Sequence, residues 1–183
     1  YSELTKRKPF PYKVALIGNR NGKSTFRKTL LISTQAATSP TPLLRLASTS
    51  TSSSAQAILR SLFPVAPKMP APIQLIRVPK DIDAIMSVTF GMADLAIAST
   101  AVVSNVSKLN PHHSALFKHL AKSRRLKLPL LLIPNKPTSQ MKKFVKIISQ
   151  MPQTASGLES MHLLNLDDWQ PATPSSQTPR TAG

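Results

Sequence analysis

The chain has 183 residues, 41% of them hydrophobic, and carries 24 Lys and Arg against 7 Asp and Glu, a net charge of +17. This length accommodates one domain with a full core plus irregular tails. So large a positive excess favours a polyanionic partner, with RNA as the first candidate. The absence of cysteine excludes disulfides and thiolate metal sites. No apolar run approaches the ~20 residues of a membrane span, so no membrane partner is expected.

The N-terminal residues 1–12 are basic and contain two prolines, which predicts an extended arm. Lys6, Arg7 and Lys8 within it form a cluster suited to phosphate contacts, and a solvated terminus is the alternative interpretation. Because the chain begins at Tyr1 rather than Met, we expect it to be a fragment, a processed product or part of something larger.

Residues 13–31, KVALIGNRNGKSTFRKTLL, predict a buried strand at 13–17, a polar loop at 18–22 and a helix at 23–31. This order is typical of a phosphate-binding P-loop, whose glycines, Lys and Ser or Thr hold phosphates and Mg²⁺. The glycines are one residue closer than usual, and Arg20 adds a cation to the cradle. The sequence therefore predicts a P-loop-derived fold with weak or lost nucleotide binding; a basic loop that caps a helix in another α/β domain is the alternative. The candidate phosphate-binding residues are Gly18, Arg20, Gly22, Lys23, Ser24 and Thr25, and Ser24 becomes a metal ligand only with a bound Mg-nucleotide.

Residues 32–72 are rich in Ser, Thr and Pro and include STSTSSS at 48–54, so part of this segment is expected to be flexible. A strand at 43–47 and a helix at 55–63 are predicted within it. A strand at 73–78, a helix beginning at Asp81 and a strand at 95–99 then form a βαβ unit. This unit predicts a mainly parallel sheet with helices on both faces, a three-layer α/β fold.

The remaining sequence predicts a helix at 114–125, a strand at 128–133, a helix at 140–151 and a strand at 161–166. A GTPase-like domain would thus span residues 13–169, and residues 170–183 are expected to be a disordered tail or a linker. Basic side chains on the outer faces of the two helices are candidate RNA contacts or merely solvated faces. They are Lys118, Lys122, Arg124, Arg125, Lys142, Lys143 and Lys146.

Three loops at predicted strand ends, residues 18–25, 78–81 and 135–138, would converge on one crevice if the strands were parallel. Their order resembles the nucleotide-binding loops of small GTPase-like P-loop domains. Each loop is eroded: RVPK at 77–80 replaces the D-x-x-G motif, and Thr138 replaces the guanine-reading Asp that would follow Asn135 and Lys136. The resemblance implies nucleotide contacts from Asn135 and Lys136, with guanine selectivity in doubt.

A narrower likeness lies in residues 79–99, PKDIDAIMSVTFGMADLAIAS, which resemble the ribosome-biogenesis GTPase family of the Bms/Tsr type. The matching residues are Asp81, Ile82, Asp83, Ile85, Met86, Ala93, Asp94 and Leu95. A purely structural interpretation makes Asp81 a helix cap, Asp94 an acid at a strand edge and Asn135 a turn residue.

The resemblance implies a nucleolar, nucleotide-inactive module of small-subunit maturation that binds rRNA or pre-rRNA and ribosomal or assembly-factor proteins. One alternative is an active GTPase using Lys23 and Ser24; the other is a constitutive protein of a divergent mitochondrial ribosome. No catalytic constellation is recognisable in the sequence. No cofactor is expected, although GTP with Mg²⁺ stays open.

Overall fold

The computed structural model describes residues 11–38, 43–64 and 72–172. The expectations for the basic arm with Lys6, Arg7 and Lys8, and for residues 173–183, therefore lie outside the described residues. The chain divides into two compact units, one of Tyr1–Thr25 with Lys127–Gly183 and the other of Phe26–Leu126. We call them the outer-sequence unit and the central unit. No helix among the described residues is long and apolar enough to cross a membrane.

Ten strands and seven α-helices are present in the described part of the chain. The strands are β1 Tyr12–Asn19, β2 Thr25–Phe26, β3 Lys28–Ser33, β4 Leu44–Ser48, β5 Ile73–Arg77, β6 Leu95–Ser99, β7 Phe117–Lys122, β8 Leu126–Lys127, β9 Leu130–Pro134 and β10 Asp168–Pro171. The helices are α1 Thr34–Thr38, α2 Ala55–Leu62, α3 Asp81–Thr89, α4 Thr100–Leu109, α5 Pro111–Ser114, α6 Ser139–Ser149 and α7 Ala155–Leu164.

The central unit is built on a five-stranded sheet with the order β5-β4-β6-β3-β7. Strand β4 runs parallel to β5 and β6, whereas β3 runs antiparallel to β6 and β7. Each of β4, β5 and β6 is followed by a helix, and these are α2, α3 and α4. The three helices therefore begin at the same edge of the sheet, the edge at which the parallel strands end.

Alternate residues of the central strands build two cores because successive side chains in a strand point to opposite faces. On one face Leu30, Leu46 and Ile97 pack with Ile58 and Leu59 of α2. On the other face the strands contribute smaller side chains, so that two helices fit against the sheet. The buried residues of that second core include Leu31, Ala47, Ala96, Ala98, Ile85, Val88 and Val103.

The outer-sequence unit has a three-stranded sheet of order β10-β1-β9, in which both pairings are antiparallel. Helix α7 ends at Asn165, whose left-handed backbone with φ of 54° stops the helix. Strand β10 then returns to β1. The chain leaves this unit through β2 and returns to it through β8, and these two strands form a two-stranded sheet.

Eight predicted elements are present in the structure. The strands predicted at 13–17, 43–47, 73–78, 95–99 and 128–133 are β1, β4, β5, β6 and β9, in that order. The helices predicted at 55–63, from Asp81 and at 140–151 are α2, α3 and α6. Three other predictions are wrong. The helix at 23–31 is β2 and β3, the helix at 114–125 contains β7, and the strand at 161–166 belongs mostly to α7. The first two segments are strands because β3 pairs with both β6 and β7, which buries it within the sheet.

The predicted fold class, a mainly parallel P-loop NTPase sheet, is also wrong. In the central unit β3 is inserted antiparallel between β6 and β7, which makes this sheet mixed. The strand that was to precede the phosphate loop, β1, belongs to a separate antiparallel sheet. The helix required after that loop is absent from the described residues 20–33.

Candidate functional site

The segment predicted as a P-loop is a tight hairpin turn. Asn21 and Gly22 have positive φ values of 51° and 69°, the signs that a type I′ turn requires and that Asn-Gly adopts readily. Arg20 and Lys23 flank the turn, and each donates its backbone N–H to the other's carbonyl oxygen, at 2.9 and 3.0 Å. The backbone groups that would surround a phosphate therefore close the turn.

The side chain of Arg20 binds the end of a helix. Its Nε donates to the carbonyl oxygen of Asn165 at 2.6 Å, just after α7. A cation is favourable there because a helix C-terminus carries partial negative charge. The N–H of Asn21 donates to a carboxylate oxygen of Asp167 at 2.5 Å, which fixes the turn further. The arginine thus has a structural role in the outer-sequence unit.

The predicted loops do not converge. Gly18 lies in β1, Ser24 precedes β2 and Thr25 begins it, whereas Asn135 and Lys136 follow β9. Because β9 is antiparallel to β1, Pro134 pairs with Tyr12, and the loop after β9 lies at the end of β1 opposite to Gly18. The expected crevice required parallel strands, and the antiparallel pairing removes it.

The candidate RNA-binding side chains that the structure describes are exposed. They are Lys118 and Lys122 in β7, Arg124 and Arg125 after it, and Lys142, Lys143 and Lys146 on α6. Their role in binding a polyanion stays a prediction.

A different constellation lies at the edge of the central sheet where β4, β5 and β6 end. We call it the strand-end site, formed by residues 48–54, Lys28, Arg77, Asp81 and Ser99. The N-termini of α2, α3 and α4 are at this edge, and helix N-termini present free N–H groups and partial positive charge. The site therefore favours negatively charged groups.

Residues 48–54, seven Ser and Thr residues that run from the last residue of β4 to the N-cap of α2, form an ordered turn. Ser48 Oγ accepts from the N–H of Ser50 and Ser50 Oγ accepts from that of Ser52, both at 3.2 Å. Ser54 is the N-cap of α2 and accepts from the N–H of Ala57 at 3.4 Å. Hydroxyl groups within the loop thus replace the backbone partners that a regular element would supply.

Arg77 sets the direction of the loop's peptide groups. Its guanidinium donates to the carbonyl oxygens of Thr51 and Ser52 at 2.9 and 3.2 Å. In a trans peptide the N–H points opposite to the carbonyl oxygen, so the N–H of Ser53 points away from Arg77. Thr51, Ser52 and Ser53 are exposed, and within the described residues their hydroxyl groups make no hydrogen bond.

An ion pair between Lys28 and Asp81 lies in the same site, and its carboxylate also contacts residues at the ends of β4 and β6. Lys28 Nζ at the start of β3 donates to Asp81 Oδ1 at 2.6 Å, and the two side chains are only 15% and 16% exposed. Thr49 Oγ1 donates to Asp81 Oδ1 at 3.3 Å, and the N–H of Ser99 donates to Oδ2 at 2.7 Å. Burial acts to raise the pKa of Asp81, but Lys28 and the Ser99 N–H outweigh it, so the pKa is lowered and the carboxylate stays ionised.

The other acids of the Bms/Tsr-type match have structural roles. Asp83 accepts from the N–H of Lys80 at 3.0 Å and caps α3. Asp94 accepts from the N–H and the guanidinium of Arg45 at 2.8 to 3.1 Å, at the sheet edge where β4 and β6 begin. Among the described residues no group of three or more His, Cys, Asp or Glu side chains is placed to hold a metal ion.

The sequence analysis identified Asp81 but missed the strand-end site. The Ser- and Thr-rich composition of the STSTSSS segment predicts flexibility, although a strand and a helix are predicted on either side of it. A hydroxyl-rich turn between a strand and a helix is the signal that was available, since such turns supply N–H and O–H donors to anions.

No family model and no curated protein sequence matches this chain. Its fold is similar to that of several solved structures. XAC2383 from Xanthomonas citri, bound to ATP, matches at 14% identity with a TM-score of 0.58, over 90% of this chain and 66% of that one. A binding protein component of an ABC phosphonate transporter from Pseudomonas aeruginosa matches at 12% identity with a TM-score of 0.56, over 92% and 60%.

A third structure, PhnD1 from Prochlorococcus marinus in complex with methylphosphonate, matches at 12% identity with a TM-score of 0.51, over 89% of this chain and 67% of that one. The chain spans less than two thirds of the length of the first two proteins. At these identities the likeness concerns the fold alone.

These matches overturn the GTPase resemblance and what it implied. The solved structures described above are a protein bound to ATP, a binding protein component of a transporter and a protein in complex with methylphosphonate, and none of them is a P-loop GTPase. The expectations of a ribosome-biogenesis module, of rRNA and ribosomal or assembly-factor partners, and of a nucleolar or mitochondrial location are therefore wrong, as are the active-GTPase and mitochondrial-ribosome alternatives. The fold of this chain, with its mixed central sheet, is similar to the folds of these solved proteins.

Proposed function

We propose that the protein binds a small anionic solute, of the phosphonate or phosphate class, at the strand-end site. The observation that carries this proposal is the ordered hydroxyl-rich turn at residues 48–54, which ends at the N-cap of α2. A tetrahedral oxyanion has several acceptor oxygens, and this turn offers exposed hydroxyl groups, outward N–H groups and a helix N-terminus together.

The helix N-terminus contributes donors that its own cap leaves free. The first N–H groups of an α-helix have no partner within the helix, and Ser54 accepts only from that of Ala57. Those of Ala55, a residue that is only 3% exposed, and of the exposed Gln56 therefore have no partner within the helix. The N–H of Ser53, directed away from Arg77, adds a third donor near the same helix end.

The fold likeness supports the same solute class. The structurally similar proteins are described with ATP, with chloride and with methylphosphonate, all of which are anions. Another is a component of a phosphonate transporter. A related role for this chain is to capture an anion for transport.

The test is calorimetric titration of the full chain with methylphosphonate and with inorganic phosphate. The main variant combines Thr51→Ala, Ser52→Ala and Ser53→Ala, because these hydroxyl groups hold no described part of the loop. The control is Ser104→Ala, which removes an exposed hydroxyl group from α4.

A hydrogen bond to a charged group contributes about 1.5–3 kcal/mol, and about 1.4 kcal/mol is a tenfold change in affinity. The triple variant is therefore expected to weaken binding at least about tenfold, and the control to leave it unchanged. Absence of binding to the unaltered chain, or equal affinities for the chain and the triple variant, would contradict the proposal.

A further inference from the structure

Helix α6 of the outer-sequence unit presents apolar side chains at the protein surface. Met141, Phe144 and Ile147 are 38%, 53% and 63% exposed. The helix packs against β1 and β10, and its other large apolar side chains, Val145 and Ile148, are half-buried. At 3.6 residues per turn the three exposed side chains cover an arc of about 120°. The apolar stripe of α6 is therefore wider than its contact with the sheet.

Three lysines occupy the arc of α6 beside these apolar side chains. Lys143 lies one turn from Ile147 on the same side of the helix, and Lys142 and Lys146 extend the basic arc to about 100°. All three lysines are exposed, and within the described residues none of them is in an ion pair or a side-chain hydrogen bond. We call the apolar arc and the basic arc together the α6 surface.

The other charges of the outer-sequence unit do not neutralise the α6 surface. In the described part of this unit the acids are Glu159 on α7, Asp167, which accepts from the N–H of Asn21, and Asp168 in β10. The basic side chains outnumber them and are Lys13, Arg20, Lys23, Lys127, Lys136, Lys142, Lys143 and Lys146. The C-terminus of α6 carries about half a negative elementary charge, which the lysines exceed. The α6 surface is thus positive as well as apolar.

We propose that the α6 surface docks the protein on a membrane surface that contains anionic lipids. Phe144 and Ile147 enter the boundary between headgroups and acyl chains, and the ammonium groups of the lysines meet the lipid phosphates. The expectation of no membrane partner came from the absence of a span of ~20 apolar residues, and a surface contact needs only one exposed apolar arc beside a basic one. This inference goes beyond the proposed function and does not depend on it.

The chemistry of the α6 surface favours a lipid surface over two other occupants. A second copy of the chain, whose net charge is also +17, would bring the lysines of two α6 helices together. An acidic protein would pair with the lysines but would need a matching apolar pocket for Phe144 and Ile147. An anionic bilayer offers negative charge and an apolar layer side by side without a shaped pocket.

The experiment is co-sedimentation of the full chain with two kinds of vesicle. One kind is phosphatidylcholine alone, and in the other about a third of the lipid is phosphatidylglycerol, which supplies the negative surface potential. The apolar variant combines Phe144→Ser with Ile147→Ser, and the basic variant combines Lys143→Gln with Lys146→Gln. Circular dichroism establishes that the variants are folded, and sedimentation without vesicles measures the mass of the chain in solution.

Each variant has a matched control elsewhere in the chain. Leu163→Ser removes an apolar side chain that is 89% exposed on α7, a helix without lysine. Lys118→Gln with Lys122→Gln removes two exposed lysines from β7. The first control has the chemistry of the apolar variant, and the second has the charge change of the basic variant.

The unaltered chain is expected to bind the anionic vesicles and to bind phosphatidylcholine alone about a hundredfold more weakly, since each lysine contributes about fivefold. The basic variant should weaken binding to anionic vesicles about twenty-five-fold. The apolar variant should weaken it at least about tenfold, because roughly half of each side chain is left to be buried. Both controls should bind nearly as the unaltered chain does.

Three results overturn the inference. They are equal or absent binding to the two kinds of vesicle, equal losses in a variant and its control, and a doubled mass in solution that the apolar variant abolishes without any vesicle binding. The last result would assign the α6 surface to a second copy of the chain. None of these results changes the titration with methylphosphonate or phosphate, so failure of the inference is distinguishable from failure of the proposed function.

Discussion

The substitution Gly22→Ala tests whether residues 18–25 are a hairpin turn or a phosphate-binding loop. Gly22 has a φ of +69°, and a Cβ atom added there would meet no other atom within 4 Å. The substitution therefore adds backbone strain without a steric clash. An L-residue in the left-handed region costs roughly 1–2 kcal/mol, and the stiffer unfolded chain of Ala returns about 0.4–1 kcal/mol.

The expected net loss is thus about 1 kcal/mol in the free energy of unfolding, measured by urea denaturation. Gly91→Ala is the matched control, because Gly91 has a φ of +72° and equally open surroundings, and it should show a similar loss. Asn21→Gly should be nearly neutral, since glycine adopts positive φ readily. A Gly22→Ala variant with unchanged stability that loses affinity for GTP would refute the turn and favour the phosphate loop.

Three further predictions concern stability. The pKa values of Asp81 and Asp94 are lowered in the folded chain. Their contribution to the free energy of unfolding is therefore complete above the unfolded-state pKa of ~3.9 and is lost as pH falls through the lower folded-state pKa values. Urea denaturation from pH 6 to pH 2 should show this loss, and a stability that does not change with pH would contradict it. Gly157→Ala is normally a favourable change in a helix, but here it should destabilise the protein, because the added Cβ would clash with the carbonyl oxygen of Met151; a raised thermal stability would contradict this. Ser54→Ala should cost about 1 kcal/mol through loss of the α2 cap, and equal unfolding midpoints would show that the cap contributes nothing.

The sequence predicted elements whose signals are local. Helices α2 and α6 begin at the hydroxyl caps Ser54 and Thr138, and their apolar residues recur at helical spacing. The same pattern wrongly predicts a helix over β2 and β3, because Phe26 of β2 and Leu30 and Leu31 of β3 are spaced as on one face of a helix. A strand paired on both sides and covered on both faces has an apolar run with no alternation, so periodicity does not distinguish it from a buried helix.

The Asn-Gly dipeptide at 21–22 is a clear local signal for a turn, and it predicts the structure better than the P-loop interpretation does. Asn-Gly between two apolar runs is the strongest short hairpin signature, and it also explains the missing residue between the two glycines. The strand-end site is harder to predict from the sequence, since Lys28 and Asp81 are 53 residues apart in the chain. Their contact depends on the strand order β5-β4-β6-β3, which no spacing in the sequence specifies.

The most direct test of anion binding at the strand-end site is a heteronuclear NMR titration of the full chain with methylphosphonate. The account predicts saturable shifts that are largest for the amide groups of Ser53, Ser54, Ala55 and Gln56, the donors of the loop and the first turn of α2. Shifts concentrated at residues 18–25, or no saturable shift at residues 48–56, would contradict it.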